Sequence, residues 1–318
     1  MAELPLVLVT NPLDPSGEAM LQGHARLLVA PDASPATLNR LVREAEGLIV
    51  RVALPPDIID HAPRLRAIAR HGAGLDMISM AAATARRIPV AFVPGANAAA
   101  VAEYCFAALM QLSRRLGGID AALRRDGWGA ARQLADGAGE LSGRTLGIVG
   151  FGNIGRRVAA IGAGFGMRVM VHTPRPGLLP EGVVPVELPE LFREADRIVL
   201  CCPLNEQTRG MVDAALLRQV RPGAVLVNVA RGAVVDEAAL ADALRSGQLG
   251  GAALDVFTMQ PLAPDHPFFG LPNLLLTPHI AGLTSDSLRQ MSQGAVAEML
   301  RMLRGERPHN FANPEIYD

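Results

Sequence analysis

Short aliphatic and β-branched runs alternate along this chain with stretches whose apolar positions recur every three or four residues, and the alternation continues to the end. Residues 6–10, 48–50 and 65–69 predict strands in the first hundred positions. Residues 145–149 predict a buried strand that leads into a helix over 153–163, apolar at Ile154, Val158 and Ile161. Further strands are expected at 167–173, 197–203, 224–230, 251–256 and 273–277, with helices at 213–220 and 236–246 between them. An apolar helix over 98–116 begins beside the turn cluster Pro94, Gly95, Ala96 and Asn97, and an amphipathic helix over 284–303 closes the pattern. This alternation argues for α/β architecture, with doubly wound parallel sheets covered by helices.

The connection between the strand at 145–149 and its helix is Gly150-Phe151-Gly152-Asn153-Ile154-Gly155. In a strand-to-helix turn the three glycines have separate uses. Gly150 permits the tight turn, Gly152 lets backbone approach a pyrophosphate, and Gly155 allows close packing of helix on strand. The helix N-terminus then meets the anion with free N–H groups, and a dinucleotide is the expected cofactor. Past such a turn, NAD-selective sites usually carry an acidic residue about 20 positions after the first glycine. Here the corresponding run ends at His172, Thr173, Pro174 and Arg175, without a carboxylate. Thr173 by hydrogen bonding and Arg175 by charge suit a 2′-phosphate, so NADP is expected ahead of NAD.

Composition removes several classes of function. The chain has 318 residues, half of them apolar, which suggests roughly two domains. Its net charge of −1 offers no basic patch for nucleic acid. Cys105, Cys201 and Cys202 lack the spacing of a metal site or a disulfide framework, so no metal is expected. Met1 to Pro5 has no basic leader region, and no apolar run reaches the ~18 residues of a spanning helix, so a cytoplasmic protein without a membrane partner is expected. Between Arg114 and Gly139 the pattern turns polar and glycine-interrupted around Trp128. That ring suits an interface anchor or ordinary core, and a homodimer is expected.

Three places after strand ends hold groups suited to chemistry on a carboxylate substrate. His71-Gly72-Ala73-Gly74-Leu75-Asp76 suits a substrate-facing loop or a plain turn. Arg231, within Asn228-Val229-Ala230-Arg231-Gly232, offers a donor fork that matches a carboxylate. His279, within Thr277-Pro278-His279-Ile280-Ala281-Gly282, titrates nearest neutrality, as a general acid/base requires.

With these stretches, Asn97 to Glu103, Pro203-Leu204-Asn205-Glu206-Gln207-Thr208 and Leu254-Asp255-Val256-Phe257, the chain resembles the D-isomer-specific 2-hydroxyacid dehydrogenases over almost its whole length. The resemblance implies two Rossmann-like domains with the active site in the cleft between them. The substrate domain would comprise 1–97 plus 285–318, and the dinucleotide domain 98–284. It implies hydride transfer between NAD(P)H and a small 2-keto acid or D-2-hydroxy acid, as in glyoxylate/hydroxypyruvate reductases. Arg231 would hold the substrate carboxylate and keto oxygen, and His279 would protonate that oxygen. Asp255 would bond the nicotinamide carboxamide. Val101, Gly150, Gly152, Asn153, Ile154, Gly155, Thr173, Arg175, Cys202, Pro203, Thr208, Val229, Ala230 and Gly282 would line the cofactor, and backbone at Val52, Ala73 and Gly74 the substrate.

One position departs from the family pattern. Where a glutamate usually precedes Pro-Leu, this chain has Gln260-Pro261-Leu262. Glutamine can orient the catalytic imidazole but supplies no charge to favour its protonated form. The related formate dehydrogenases pair glutamine with their histidine because carbon dioxide needs no proton, and formate-dehydrogenase-like oxidation is one alternative. A non-catalytic NAD(P)(H)-sensing binding protein is the other.

Overall fold

The computed structural model describes residues 3–317; Met1 and Ala2 of the leader reading, and Asp318 at the end of the expected first domain, lie outside the described residues. The chain divides into two compact units, Met1–Asn97 with Leu283–Asp318, and Ala98–Gly282.

In the first unit, β1 (Leu6–Val9), β2 (Arg26–Val29), β3 (Gly47–Val50), β4 (Ala67–Arg70) and β5 (Val90–Ala91) form one parallel sheet in the order β2-β1-β3-β4-β5. Alternate residues face opposite sides. Leu8, Leu48, Val50, Ile68 and Val90 pack into one core, while Val7, Val9, Ile49, Ala67 and Ala69 pack into the other. The second core is covered by the helix Ser285–Leu303 through Ala295, Val296, Met299 and Met302. Thr284 caps that helix, its side chain accepting from the Ser287 N–H while the Ser287 hydroxyl accepts from the Thr284 N–H.

In the second unit, β6 (Thr145–Val149), β7 (Arg168–His172), β8 (Val183–Pro185), β9 (Arg197–Leu200), β10 (Ala224–Asn228), β11 (Leu249–Leu254) and β12 (Leu274–Leu276) form a parallel sheet in the order β12-β11-β10-β9-β6-β7-β8. Ile148, Val171, Val199 and Val227 meet the helix Ala98–Arg114 through Val101, Cys105 and Leu109. Val149, Met170, Ile198 and Leu226 meet the helices Leu188–Glu194 and Glu237–Arg245 on the opposite face. The order reverses at β6, whose neighbours are β7 and β9. Ligands of open α/β sheets lie at such a switch point, outside the carboxyl ends of the strands.

Several expected boundaries shift. The strand expected at 65–69 begins at Ala67 and runs to Arg70. The helix expected over 213–220 is the single turn Ala214–Leu217, started by Asp213 accepting from the Leu216 N–H. The helix expected to reach Leu116 ends at Arg114, because Arg115 adopts a left-handed conformation (φ 52°) and starts a new helix, Leu116–Asp126. Trp128 opens the next helix, Trp128–Gln133, and is 74% exposed, which rules out the core alternative. Among the described residues no helix is long and apolar enough to cross a membrane.

Candidate active site

The glycine turn stands at the carboxyl end of β6. Gly150 has φ 97°, and its N–H donates to the His172 carbonyl at 2.9 Å. A Cβ on Gly155 would stand 2.2 Å from the Gly150 carbonyl oxygen, so only glycine allows the helix Asn153–Gly164 to lie this close to the strand end. A Cβ on Gly152 would meet nothing within 4 Å, and among the described residues no side chain caps the helix there. The first-turn N–H groups therefore face an open cradle that fits a pyrophosphate. Beside it, Cys201 Sγ donates to the Gly150 carbonyl at 3.2 Å. Burial raises the thiols of Cys105 and Cys201 and pushes Cys202 up to about 11, which keeps all three protonated.

At the ends of β11 and β12 a chain of hydrogen bonds fixes the turn that carries His279. Asp255 is 1% exposed; its Oδ1 accepts from Thr277 Oγ1 at 2.6 Å and from the Ile280 N–H at 2.8 Å. Its Oδ2 accepts from the Ala281 N–H at 2.8 Å. Tyr104 Oη lies 2.6 Å from Thr277 Oγ1. Because Thr277 gives its proton to the carboxylate, Tyr104 is the donor in that pair. Burial above all, and the nearby Asp255 charge, push the Tyr104 phenol up to about 12 against the opposing Thr277 bond, so it stays protonated. His279 itself has φ 57°, a conformation costing a side-chain-bearing residue about 1–2 kcal/mol. The bonds from Asp255 to the next two N–H groups hold it there.

His279 Nδ1 lies 3.1 Å from Gln260 Oε1, and Gln260 Nε2 donates to the Phe257 carbonyl at 3.2 Å. The loop bearing Arg231 leans on the same segment. A Cβ on Gly232 would stand 1.9 Å from the Phe257 carbonyl carbon, so the absence of a side chain lets the two loops touch. Asn228 supports Arg231 from both directions: its Nδ2 donates to the Arg231 carbonyl and its Oδ1 accepts from the Ala230 N–H, each at 3.0 Å. Arg231 is half-buried, with Nη1 donating to the Ala230 carbonyl at 2.7 Å. Through Gly232, Phe257 and Gln260, the fold brings Arg231 and His279 to one end of one sheet.

The remaining expected contacts divide by burial. Val101 is buried in the helix Ala98–Arg114, and Cys202, Val229 and Ala230 are buried just past the ends of β9 and β10. Thr208 Oγ1 donates to the Pro203 carbonyl at 2.7 Å and closes the loop after β9. Thr173 follows β7 directly, and Arg175 is exposed two residues later. Phe257, Gln260, Leu262, Phe269, Leu276 and Pro278 enclose an apolar cavity of about 580 Å³ beside the Gln260–His279 pair.

In the first unit, Val52 follows β3, and Ala73 and Gly74 follow β4. Arg70, unmarked by any motif, ties these loops together: Nε donates to the Gly74 carbonyl (2.9 Å), and Nη1 to the carbonyls of Val50 (2.8 Å) and His71 (2.7 Å). His71 is only 4% exposed, with Nε2 2.9 Å from Ser292 Oγ, so within its stretch it is a packing residue and not a substrate contact. Burial first, then the charges of Arg51 and Arg70, lower its pKa to about 3.

Residues 106–281 match the model of the D-isomer specific 2-hydroxyacid dehydrogenase NAD-binding domain. The chain is 36% identical to a glyoxylate reductase of Korarchaeum cryptofilum over 321 aligned positions, covering 98% of this chain and 97% of that one. The chain belongs to the D-isomer-specific 2-hydroxyacid dehydrogenases. As such it is an NAD(P)-dependent oxidoreductase with two Rossmann-like parallel-sheet domains. Among solved structures, the NADPH-dependent glyoxylate/hydroxypyruvate reductase of Sinorhizobium meliloti, in complex with NADP and malonate, superposes with a TM-score of 0.87 at 30% identity over 98% of each chain. The D-lactate dehydrogenase of Aquifex aeolicus, with NAD and lactic acid, gives 0.86 at 28% identity, covering 97% of this chain and 99% of that one.

Through Thr277, Tyr104 braces this dehydrogenase's His279 turn from outside every quoted stretch of the sequence. It lies within the apolar helix Ala98–Arg114, and its partner is 173 residues away. The exposed Met259 (72%) is absent from the apolar cavity, and Phe268 is core at 1%, whereas Phe269 lines that cavity.

Proposed function

We propose that this enzyme reduces a small 2-keto acid of the size of glyoxylate or hydroxypyruvate to its D-2-hydroxy acid, with NADPH as the favoured reductant. The observation that carries this reading is the hydrogen-bonded pair His279–Gln260, presented at the strand ends that also carry Arg231. Arg231 takes the substrate carboxylate and keto oxygen on its donor fork, which withdraws electron density from the carbonyl carbon. When bound, the reduced nicotinamide supplies the hydride to that carbon. His279 delivers a proton from Nε2 to the carbonyl oxygen, while Gln260 holds Nδ1 and thereby the plane of the ring. In oxidation His279 takes the same proton back. We assign the strand-end backbone of Val52, Ala73 and Gly74 to substrate binding, and the open cradle at Gly152 to the cofactor pyrophosphate.

The NADP preference is supported by the lack of a carboxylate after β7 and by exposed Arg175. A homodimer is supported by the exposed apolar side chains Leu116, Leu123, Trp128 and Leu134 on one short segment, and the solution mass tests it. The function itself is tested by an absorbance assay over glyoxylate, hydroxypyruvate, bulkier 2-keto acids and, in reverse, formate, each with both cofactors. Turnover of the small keto acids is expected. Turnover of formate alone would assign Gln260 to proton-free hydride transfer, and tight cofactor binding without any turnover would make the protein a nucleotide sensor.

A further inference from the structure

The second unit has a further cavity, of about 330 Å³, at the amino ends of its strands. Arg144 immediately precedes β6, Arg197 opens β9, and Gly223 precedes β10; all three line it. The glycine turn, Asp255 and Thr277 belong to the carboxyl ends. Five residues of strand, roughly 16 Å, separate the two ends.

The wall is cationic. Arg114, Arg115, Arg144 and Arg197 face two carboxylates, Asp136 and Asp196. Asp196 is already engaged, with Oδ2 accepting from the Thr145 N–H at 2.8 Å and Oδ1 3.4 Å from Arg221 Nη1. Arg197 is 9% exposed. Its Nη1 donates to the Asp196 carbonyl at 2.9 Å, but its Nε has no hydrogen-bond partner among the described residues. A Cβ on Gly139, in the same wall, would lie 3.8 Å from Arg197 Nη2, so the guanidinium reaches the cavity. Ser113, also in the wall, has a buried Oγ without a hydrogen-bond partner among the described residues. Buried polar atoms are nearly always satisfied, so these two on one cavity wall are donors that an occupant of the cavity, water or anion, would take. Burial, and secondarily the Arg144 charge, pull the Arg197 guanidinium below its ordinary range against the opposing Asp196 charge; an anion would relieve both effects.

We propose that this cavity binds a small oxyanion carrying two or more charges, a phosphate monoester or a dicarboxylate, on the forks of Arg197, Arg144 and Arg114 with Ser113 as a neutral donor. Planar guanidinium groups match both chemistries bidentately. The volume holds several times the ~30 Å³ of one water molecule. Because the cavity lies at the amino ends of the strands, its ligand does not compete with the keto acid.

The test is calorimetric titration of the holoenzyme, saturated with NADPH at low ionic strength, with inorganic phosphate and with succinate. One saturable site per chain is expected for at least one of them, and whichever binds identifies the phosphoryl or the dicarboxylate source. Arg144 and Arg114 are exposed, so Arg144→Gln and the pair Arg114→Gln with Arg144→Gln should fold. The single substitution should weaken binding about tenfold and the pair further, with NADPH affinity unchanged. No saturable binding of either probe overturns the proposal. So does binding that the double variant leaves intact, since the anion would then sit elsewhere. Binding that weakens as protein concentration rises would assign the cavity to a second copy of the chain, and would overturn it too.

Discussion

Gln260 and His279 are joined with a fixed polarity. Gln260 Oε1 lies 3.1 Å from His279 Nδ1 while Gln260 Nε2 donates to the Phe257 carbonyl at 3.2 Å. Turning the amide over would set its oxygen against that carbonyl, so Oε1 stays toward the ring and Nδ1 must carry a proton. The neutral ring then presents a lone pair at Nε2, the atom that gains and loses the transferred proton. Glutamine achieves orientation here without adding charge.

Restoring a carboxylate should therefore move acidity and leave geometry alone. Reduction needs protonated His279, so its rate falls as pH rises through the imidazolium pKa. A carboxylate beside Nδ1 stabilises the charged ring and raises that pKa, by about one unit or more. Gln260→Glu should shift the falling limb of the kcat/KM profile for keto-acid reduction upward by that amount. An unchanged limb would remove Gln260 from the acid/base step.

The Tyr104–Thr277–Asp255 chain should act through the His279 turn. Tyr104→Phe removes one donor to Thr277 but leaves Thr277 bonded to Asp255. It should cost about 1 kcal/mol of stability and change kcat only a few-fold. Thr277→Val also frees Asp255 Oδ1 from its short bond and should lower kcat about tenfold, with Thr277→Ser restoring most of it. Equal losses of Tm in the two variants with equal kcat would reduce the chain to a purely structural brace.

How far the sequence was legible follows from where each segment lies in its sheet. β6, β9 and β10 sit between two neighbours and are buried on both faces, so they read as continuous apolar runs. The unanticipated strands β2, β5 and β8 are all sheet edges. β2 starts with exposed Arg26, β8 ends on Pro185, and β5 has two residues, so none produces a run that stands out. At the site, Arg231 and His279 follow strand ends inside recognisable motifs. The supports of that machinery, Tyr104 and Gly232, depend on distant neighbours, and neither spacing nor composition encodes such contacts.

His71 gives the first unit a predictable response to acid. Its folded-state pKa of about 3 lies below the unfolded value of 6.5, so the unfolded chain binds the extra proton between them. The stability at stake is fully present above pH 6.5 and is lost as pH falls from 6.5 toward 3. His71→Gln, which can still bond Ser292, removes this titration. Urea midpoints measured at pH 7 and pH 5 should fall less in the variant than in the parent. Parallel losses would show that His71 is not the group that titrates.

Cofactor choice should rest on the two residues after β7. Thr173 is half-buried at the strand end, and the Arg175 N–H makes a long 3.4 Å bond to its Oγ1, which places the exposed Arg175 side chain on the same turn. A 2′-phosphate there would gain a charge-assisted contact from Arg175, whereas an unphosphorylated ribose would gain little. Arg175→Ala should raise KM for NADPH about tenfold and leave KM for NADH nearly unchanged. Thr173→Asp should reverse the preference, because a carboxylate repels the phosphate and accepts from the ribose hydroxyls. Arg175 is exposed, so the selectivity of the parent should shrink as salt is added. An equal rise in both Michaelis constants on Arg175→Ala would mean that Arg175 shapes the turn and does not read the phosphate.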